Sequence, residues 1–94
     1  MVEKKITILN ESGFHARPAS LFVALTKKFV DSQITITKVE TAASTDAKSI
    51  LGVMALGLNK GTEVSIQVTG ENEEETLQAI IHFLDALKTR EGGI

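Results

Sequence analysis

The chain contains no cysteine, no tryptophan and no tyrosine, and it has a single proline. The absence of cysteine excludes disulfide bonds, thiolate catalysis and cysteine-based zinc sites. Four phenylalanines make up the whole aromatic content, so we do not expect a surface that stacks single-stranded nucleic acid. The formal net charge of −2 also argues against direct nucleic-acid binding, which usually requires a basic face.

Long hydrophobic runs are missing as well. No apolar stretch approaches the roughly 18 residues needed to span a bilayer. Residues 1–5 lead into alternating residues instead of a signal-peptide core. We therefore expect a soluble cytoplasmic protein without membrane insertion. The length of 94 residues fits a single domain, 1–94, and the sequence has no internal repeat or interdomain linker.

Alternating apolar and polar residues predict strands at 5–9, 34–37 and 64–69. A further strand is predicted for the small polar residues 41–46. Each strand has only one apolar face, which is typical of an antiparallel sheet with one solvated side.

Helical spacing of apolar residues predicts three helices. The first runs from about 19 to 29, with Val30 in its apolar stripe, and the second covers 48–56. The third opens with the acidic run 71–75, and 89–94 are expected to fray at its end. The order β-α-β-β-α-β-α, with all helices on the apolar face of the sheet, predicts a two-layer α+β sandwich.

The candidate chemistry lies in the segment Gly13-Phe14-His15-Ala16-Arg17-Pro18. A glycine turn precedes the histidine, and the proline fits the first turn of a helix, where a missing N–H costs nothing. The histidine is then predicted at the N-cap, a position that Ser, Thr, Asp or Asn usually occupies. An imidazole and a guanidinium beside backbone N–H groups suit a phosphate or a carboxylate. From the residues alone, an anion site and a purely structural histidine are about equally supported.

Residues 13–19 resemble the active-site signature of HPr, the histidine-containing phosphocarrier proteins of the bacterial phosphoenolpyruvate:sugar phosphotransferase system. Residues 47–57, with the sequence Ala-Lys-Ser-Ile-Leu-Gly-Val-Met-Ala-Leu-Gly, are similar to the short helix and regulatory serine of that family. The resemblance spans nearly the whole chain. It implies an open-faced sandwich, with a four-stranded antiparallel sheet covered on one face by three helices.

The resemblance also implies a function. The phosphoryl group would be carried on Nδ1 of His15, with Arg17 as its charge partner. Enzyme I, itself a phosphohistidine protein, is the family's donor, and the A component of a sugar-specific enzyme II is the acceptor. A carrier of this kind has no turnover of its own, and neither a metal ion nor a cofactor is implied.

Ser49 allows two interpretations. It can be an ordinary serine at a helix start or, by the resemblance, a regulatory phosphorylation site. In the family, an ATP-dependent HPr kinase/phosphorylase modifies this serine, and the phosphoserine form is a corepressor for a catabolite-control transcription factor. The residues that flank Ser49 resemble that version, so we favour regulation.

Partner proteins are expected to dock around the histidine. Exposed apolar residues on a short helix often mark such a surface, and methionine adapts to several partners. Ala24 stands where the family commonly has a basic residue, and His82 is interpreted as partly exposed and without chemistry. The candidate partner-binding residues are Phe14, Ser20, Lys27, Lys48, Ile50, Leu51 and Met54.

Two features depart from the family pattern. Phe14 replaces the usual aliphatic residue before the histidine, and the segment 38–46 is longer than in typical members and lacks their glycine turn. Two rival functions stay open: a regulatory relative that acts in catabolite repression through phosphorylated Ser49, and a carrier in a nitrogen-related relay. The presence of His15 and Arg17 argues against the first rival, because a purely regulatory protein has no need of the imidazole.

Overall fold

Strands and helices follow one another in the predicted order in a computed structural model, which describes residues 1–10 and 13–92. The predicted α+β class is confirmed by the element order and by the single four-stranded sheet. The strands are β1 (Val2–Thr7), β2 (Ser32–Lys38), β3 (Ala43–Asp46) and β4 (Glu63–Gly70). The helices are α1 (Ala16–Lys27), α2 (Ile50–Ala55) and α3 (Glu73–Gly92).

The four strands form an antiparallel sheet in the order β1-β4-β2-β3. The strand β4 has the clearest alternation in the sequence, and it lies inside the sheet between β1 and β2. In this register Ile66 is opposite Ile36 of β2, and Val64 is opposite Ile6 of β1. Strand β4, from the second half of the chain, thereby joins β1 and β2, which both belong to the first half.

The helices cover one face of the sheet and bury its apolar side chains. Because successive strand residues point to opposite faces, Ile34, Ile36 and Ile66 lie together on the helical side and are almost completely buried. Phe22 of α1 is also buried there, and its ring centroid lies 6.3 Å from that of Phe83 on α3. The other buried apolar residues are Ile8, Phe14, Ala19, Val23, Ala47, Val53, Leu58, Val64, Val68, Leu77, Ile80 and Leu87.

The ends of the first strand and the first helix differ from the prediction. Strand β1 starts at Val2, where pairing with β4 begins, and it ends before Leu9, which is 46% exposed. The predicted strand 5–9 was therefore placed too late. Val30 is 79% exposed and does not belong to the apolar stripe, because α1 ends at Lys27.

The other helices also have shifted ends. Helix α2 is shorter than the predicted 48–56, because Ser49 is its N-cap and not its second residue. Helix α3 starts inside the acidic run 71–75 and continues to residue 92, so its backbone is helical over most of the segment that we expected to fray. Residues 93 and 94 of that segment lie outside the described residues.

The face of the sheet opposite the helices is polar. The Glu3 carboxylate on β1 accepts hydrogen bonds from the Ser65 hydroxyl and from Gln67 Nε2 on β4, the latter at 3.0 Å. These bonds stabilise the charged carboxylate and hold the pKa of Glu3 below its ordinary value, with Ser65 as the largest cause and the charge of Lys5 as a smaller one.

The substitution Ser65→Ala removes the bond that lowers the pKa of Glu3 most, so we expect this pKa to rise toward its ordinary value. A lowered pKa in the folded state stabilises the protein at pH values above the ordinary pKa, and this contribution is lost as the pH falls through the lowered value. On acidification, the free energy of unfolding of the variant should therefore fall less than that of the unmodified protein. NMR titration of the Glu3 carboxyl carbon measures the change, with Lys5→Ala as a control that shifts it less. An unchanged pKa in Ser65→Ala would contradict this account.

Candidate functional site

His15 is the N-cap residue of α1, as the sequence predicts. Its backbone is extended, with φ −88° and ψ −170°, and its carbonyl accepts the first helical hydrogen bond from the Ala19 N–H at 2.9 Å. The imidazole makes no capping hydrogen bond and is exposed. The side chain is therefore available for chemistry outside the helix.

The first turn of α1 supplies positive charge beside the imidazole. Ala16 and Arg17 carry backbone N–H groups that have no acceptor within the helix, since the first intrahelical bond is donated by Ala19. Pro18, in the same turn, has no N–H to donate and is buried, so it starts the helix at no cost in hydrogen bonds. The Arg17 side chain is exposed at the second helical position. Together these groups favour an anion near the histidine.

A tight turn positions the segment before the helix. The Gly13 N–H donates to the Asn10 carbonyl at 3.1 Å, and the Asn10 side-chain amide donates to the Gly13 carbonyl at 2.8 Å. Gly13 has φ +61°, a left-handed conformation that favours glycine. The next N–H, that of Phe14, donates to the Leu58 carbonyl at 2.7 Å and fixes this segment to the turn before β4. Residues 11 and 12, just before this glycine, lie outside the described residues.

The imidazole faces Asn59, a residue that no motif in the sequence singles out. His15 Nε2 lies 3.0 Å from the Asn59 side-chain oxygen, Oδ1. The backbone of Asn59 is held by Thr62: the Asn59 N–H donates to Thr62 Oγ1 at 3.2 Å, and the Thr62 N–H donates to the Asn59 carbonyl at 3.0 Å. The two site residues are 44 positions apart, so no local pattern indicates their contact.

Phe14 does not belong to a docking surface, and this prediction was wrong. Its side chain is only 2% exposed, and its ring centroid lies 5.0 Å from that of Phe22 in the core. The left-handed turn at Gly13 and the hydrogen bond to Leu58 direct the ring inward, while the following His15 points outward. Phe14 therefore fills the core beneath the site.

Lys48 and Ser49 have local structural contacts. The Lys48 ammonium donates to the carbonyl of Phe29, in the connection after α1, at 2.9 Å and to that of Ser32, the first residue of β2, at 2.7 Å. The predicted docking role of the Lys48 charge conflicts with this placement. Ser49 is the N-cap of α2, and its Oγ accepts a hydrogen bond from the Gly52 N–H at 3.1 Å.

The remaining docking candidates lie on the outer faces of α1 and α2. Ser20 and Lys27 are exposed on α1. On α2, Leu51 is 80% exposed and Met54 is 43% exposed, whereas Ile50 is half-buried and packs against the core. Exposure of large apolar side chains on a short helix leaves this surface open to a partner.

The described residues contain neither a membrane-spanning helix nor a cluster of metal ligands. Within 1–10 and 13–92, no helix is both long enough and apolar enough to cross a bilayer. In the same part of the chain, no cluster of three or more His, Cys, Asp or Glu side chains is placed to hold a metal ion.

The fold and the site together define a class of protein. A small open-faced sandwich presents an exposed histidine at a helix N-terminus, where other proteins can reach it and where backbone N–H groups favour an anion. This is the arrangement of a histidine carrier domain, which offers its reactive side chain to partners instead of enclosing it in a cleft.

Comparison with known proteins identifies the family. A family model described as the PTS HPr component phosphorylation site matches residues 2–86. The phosphocarrier protein HPr of Vibrio cholerae is 40% identical over 87 residues, which cover 93% of this chain and 99% of that protein. The chain belongs to the HPr family of the phosphotransferase system, as its motifs predict. Membership implies interaction with enzymes of that system such as enzyme I and enzyme II.

Two further relatives bear on fold and function. A crystal structure of HPr-C-His from Thermoanaerobacter tengcongensis matches with a TM-score of 0.87 and 40% identity, covering 94% of this chain and 96% of that one. The HPr-like protein Crh of Halalkalibacterium halodurans is 36% identical over 85 residues, which cover 90% of this chain and 98% of that protein. The chain is thus similar both to a phosphocarrier and to an HPr-like relative.

We expect Gly13→Ala to destabilise the protein more than Gly61→Ala. Both glycines have positive φ, +61° and +92°, but a Cβ on Gly13 would lie 2.5 Å from the Leu58 carbonyl oxygen, whereas one on Gly61 would meet nothing within 4 Å. Gly61→Ala should cost about 1 kcal/mol through backbone strain, and Gly13→Ala at least about 2 kcal/mol. Urea unfolding measures both, and equal losses would contradict the proposed close packing.

Proposed function

We propose that this chain is a phosphocarrier in which His15 accepts a phosphoryl group from phosphorylated enzyme I and passes it to the A components of sugar-specific enzymes II. The observation that carries the proposal is the placement of an exposed imidazole at the N-terminus of α1, with no capping bond of its own. Family membership supplies the class of donor and acceptor.

The chemistry requires a neutral imidazole nitrogen with a free electron pair. By the family resemblance, this nitrogen is Nδ1 of His15. The added group carries negative charge, which the unpaired N–H groups at the start of α1 and the guanidinium of Arg17 offset.

Exposure of the site fits transfer between two proteins. In an in-line transfer, the attacking and leaving nitrogens lie on opposite sides of the phosphorus atom, so the donor's active site must come directly over the imidazole. An exposed His15 allows this approach first by enzyme I and then by an enzyme II component. We propose that Ser20 and Lys27 of α1 and Ile50, Leu51 and Met54 of α2 form the docking surface. Leu51 and Met54 are exposed for contact, and Ile50 is half-buried at its edge.

The variant His15→Ala should take up no phosphate from phosphoenolpyruvate and enzyme I, because the nucleophile is missing. His82→Ala is the matched control: it removes the other histidine of the chain, which is exposed on α3, and should be labelled like the unmodified protein. The mass of the intact protein shows whether a phosphoryl group was added, and loss of that group in acid shows that it was bound to a histidine. Labelling of His15→Ala at the level of the control would refute the assignment.

We also propose that Ser49 is a regulatory phosphorylation site. An HPr kinase/phosphorylase would modify it, and a catabolite-control transcription factor would bind the phosphorylated form. The position of Ser49 at the N-cap of α2 supports this, since phosphate oxygens accept hydrogen bonds from the N–H groups of a first helical turn. The added charge would lie next to Leu51 on the docking surface. Repulsion of acidic partner surfaces would then lower phosphoryl transfer to His15.

Incubation with HPr kinase/phosphorylase and ATP should add one phosphate at Ser49, detected by peptide mass spectrometry. Ser49→Ala should stay unmodified, while Ser44→Ala, which removes an exposed serine of β3, should be modified normally. Prior phosphorylation should also slow labelling by enzyme I. An unmodified Ser49 under these conditions would overturn the regulatory proposal and leave the carrier proposal intact.

The similarity to Crh favours one alternative, a relative that acts mainly in catabolite repression. The exposed His15 at a helix N-terminus weighs against it, because regulation through Ser49 alone does not use an imidazole. A carrier in a nitrogen-related relay is the second alternative. Phosphoryl transfer from the labelled protein can be measured to an acceptor of the sugar system and to one of the nitrogen-related relay. The acceptor that is phosphorylated distinguishes the two kinds of carrier.

A further inference from the structure

The contact between the imidazole and Asn59 bears on which ring nitrogen carries the proton. A neutral imidazole has one N–H donor and one nitrogen with a free electron pair. The Asn59 oxygen, Oδ1, can only accept, and it lies 3.0 Å from His15 Nε2. The hydrogen bond therefore requires the proton on Nε2 and leaves the electron pair on Nδ1.

We infer that Asn59 is a positioning residue that holds His15 in the tautomer with the proton on Nε2, so that Nδ1 is the nucleophile. This inference rests on the proposed carrier function and adds to it the group that selects the reacting nitrogen. Asn59 acts through the imidazole and does not contact the transferred group in this arrangement.

The contact with Asn59 also explains where the imidazole proton stays during phosphoryl transfer. The electron pair of Nδ1 forms the new N–P bond while the N–P bond of the donor histidine breaks and its electron pair returns to the donor. The proton on His15 Nε2 stays in place, and the ring gains positive charge as its electron pair is used. The Asn59 oxygen accepts a hydrogen bond from this increasingly acidic N–H, so it stabilises the charge that develops. The reverse transfer to an acceptor uses the same arrangement.

The turn that holds Asn59 is firmly attached to the elements around the site. The Gly61 N–H donates to the Ile8 carbonyl at 2.7 Å, and the Ile8 N–H donates to the Thr62 carbonyl at 2.8 Å, which connects the turn to the end of β1. Gly13 approaches the Asn59 backbone so closely that a Cβ there would lie 2.9 Å from the Asn59 Cα. The acceptor is thus held at a fixed place relative to the N-cap, which positions the ring with little loss of entropy on partner binding.

Nitrogen-15 NMR of the unphosphorylated protein tests the inference directly. Nitrogen-15 shifts of the neutral imidazole report the ratio of its two tautomers. His82, exposed on α3, is the internal reference, because its ratio should be the same in every variant. We expect His15 to have its proton predominantly on Nε2, and Asn59→Ala to lower the ratio about fivefold, as the loss of one neutral hydrogen bond implies.

Two further variants distinguish loss of the hydrogen-bond acceptor at Asn59 from other effects of a substitution. Asn59→Asp keeps an acceptor oxygen at the same distance from the backbone, so it should retain the proton on Nε2. Asn72→Ala is the matched control: it removes an exposed asparagine near Gly70, at the opposite end of β4 from Asn59, and should leave the His15 tautomer unchanged. The rate of labelling by enzyme I should fall about fivefold in Asn59→Ala, because a hydrogen bond to the charged ring is about 1 kcal/mol stronger than the neutral bond before transfer. The rate should stay unchanged in Asn72→Ala.

The outcomes distinguish this inference from the carrier function. If Asn59→Ala leaves the tautomer ratio and the labelling rate unchanged while the unmodified protein is labelled, the positioning role is overturned and the carrier function stands. A His15 ring with its proton mainly on Nδ1 would also overturn it, because the amide would then present its nitrogen to Nε2. A third outcome is that the tautomer ratio shifts as expected but enzyme I labels neither the unmodified protein nor any variant. That result would refute the carrier function and leave the tautomer assignment intact.

Discussion

The contact between the segment before α1 and the turn before β4 determines the geometry of the end of the molecule that carries His15. Phe14 donates its N–H to the Leu58 carbonyl, and Gly13 lies so close to the Leu58 and Asn59 backbones that a side chain there would collide with them. Only glycine combines the conformation at φ +61° with the absence of a Cβ. This packing brings the His15 ring to Asn59 and allows α1 to begin at the next residue.

The same contact gives two adjacent residues opposite environments. Phe14 is buried against Phe22, and complete burial of such a side chain contributes about 1.5–3 kcal/mol. His15 is exposed and contributes its backbone, but not its side chain, to the start of α1. The anchoring of the helix is therefore independent of the imidazole. A change in the charge or covalent state of the ring can occur without loss of the interactions that hold the helix in place.

Local patterns predicted the parts of the fold and site that depend on local physics. The alternation at β4, the proline in the first turn of α1 and the N-cap position of His15 all follow from neighbouring residues. The contact with Asn59 depends on the antiparallel register of β1 and β4, which no short segment contains. The direction of Phe14 depends on the φ of Gly13, and the place of the Lys48 ammonium depends on carbonyls between α1 and the start of β2. These three were missed or misassigned because their partners are distant in sequence or set by a single backbone angle.

His15 and Ser49 are both N-cap residues, and they differ in how their side chains are used. The Ser49 hydroxyl caps its own helix through the Gly52 N–H, while the His15 ring makes no such bond to α1. Esterification of the serine oxygen would change an interaction that holds a six-residue helix, so the capping bond must be replaced by phosphate oxygens. A phosphoryl group on His15 Nδ1 would replace no helical bond, and the Nε2 contact to Asn59 would persist. Loading of the histidine would therefore leave α1 unchanged, whereas phosphorylation of the serine would alter the cap of α2 and the apolar surface that α2 presents.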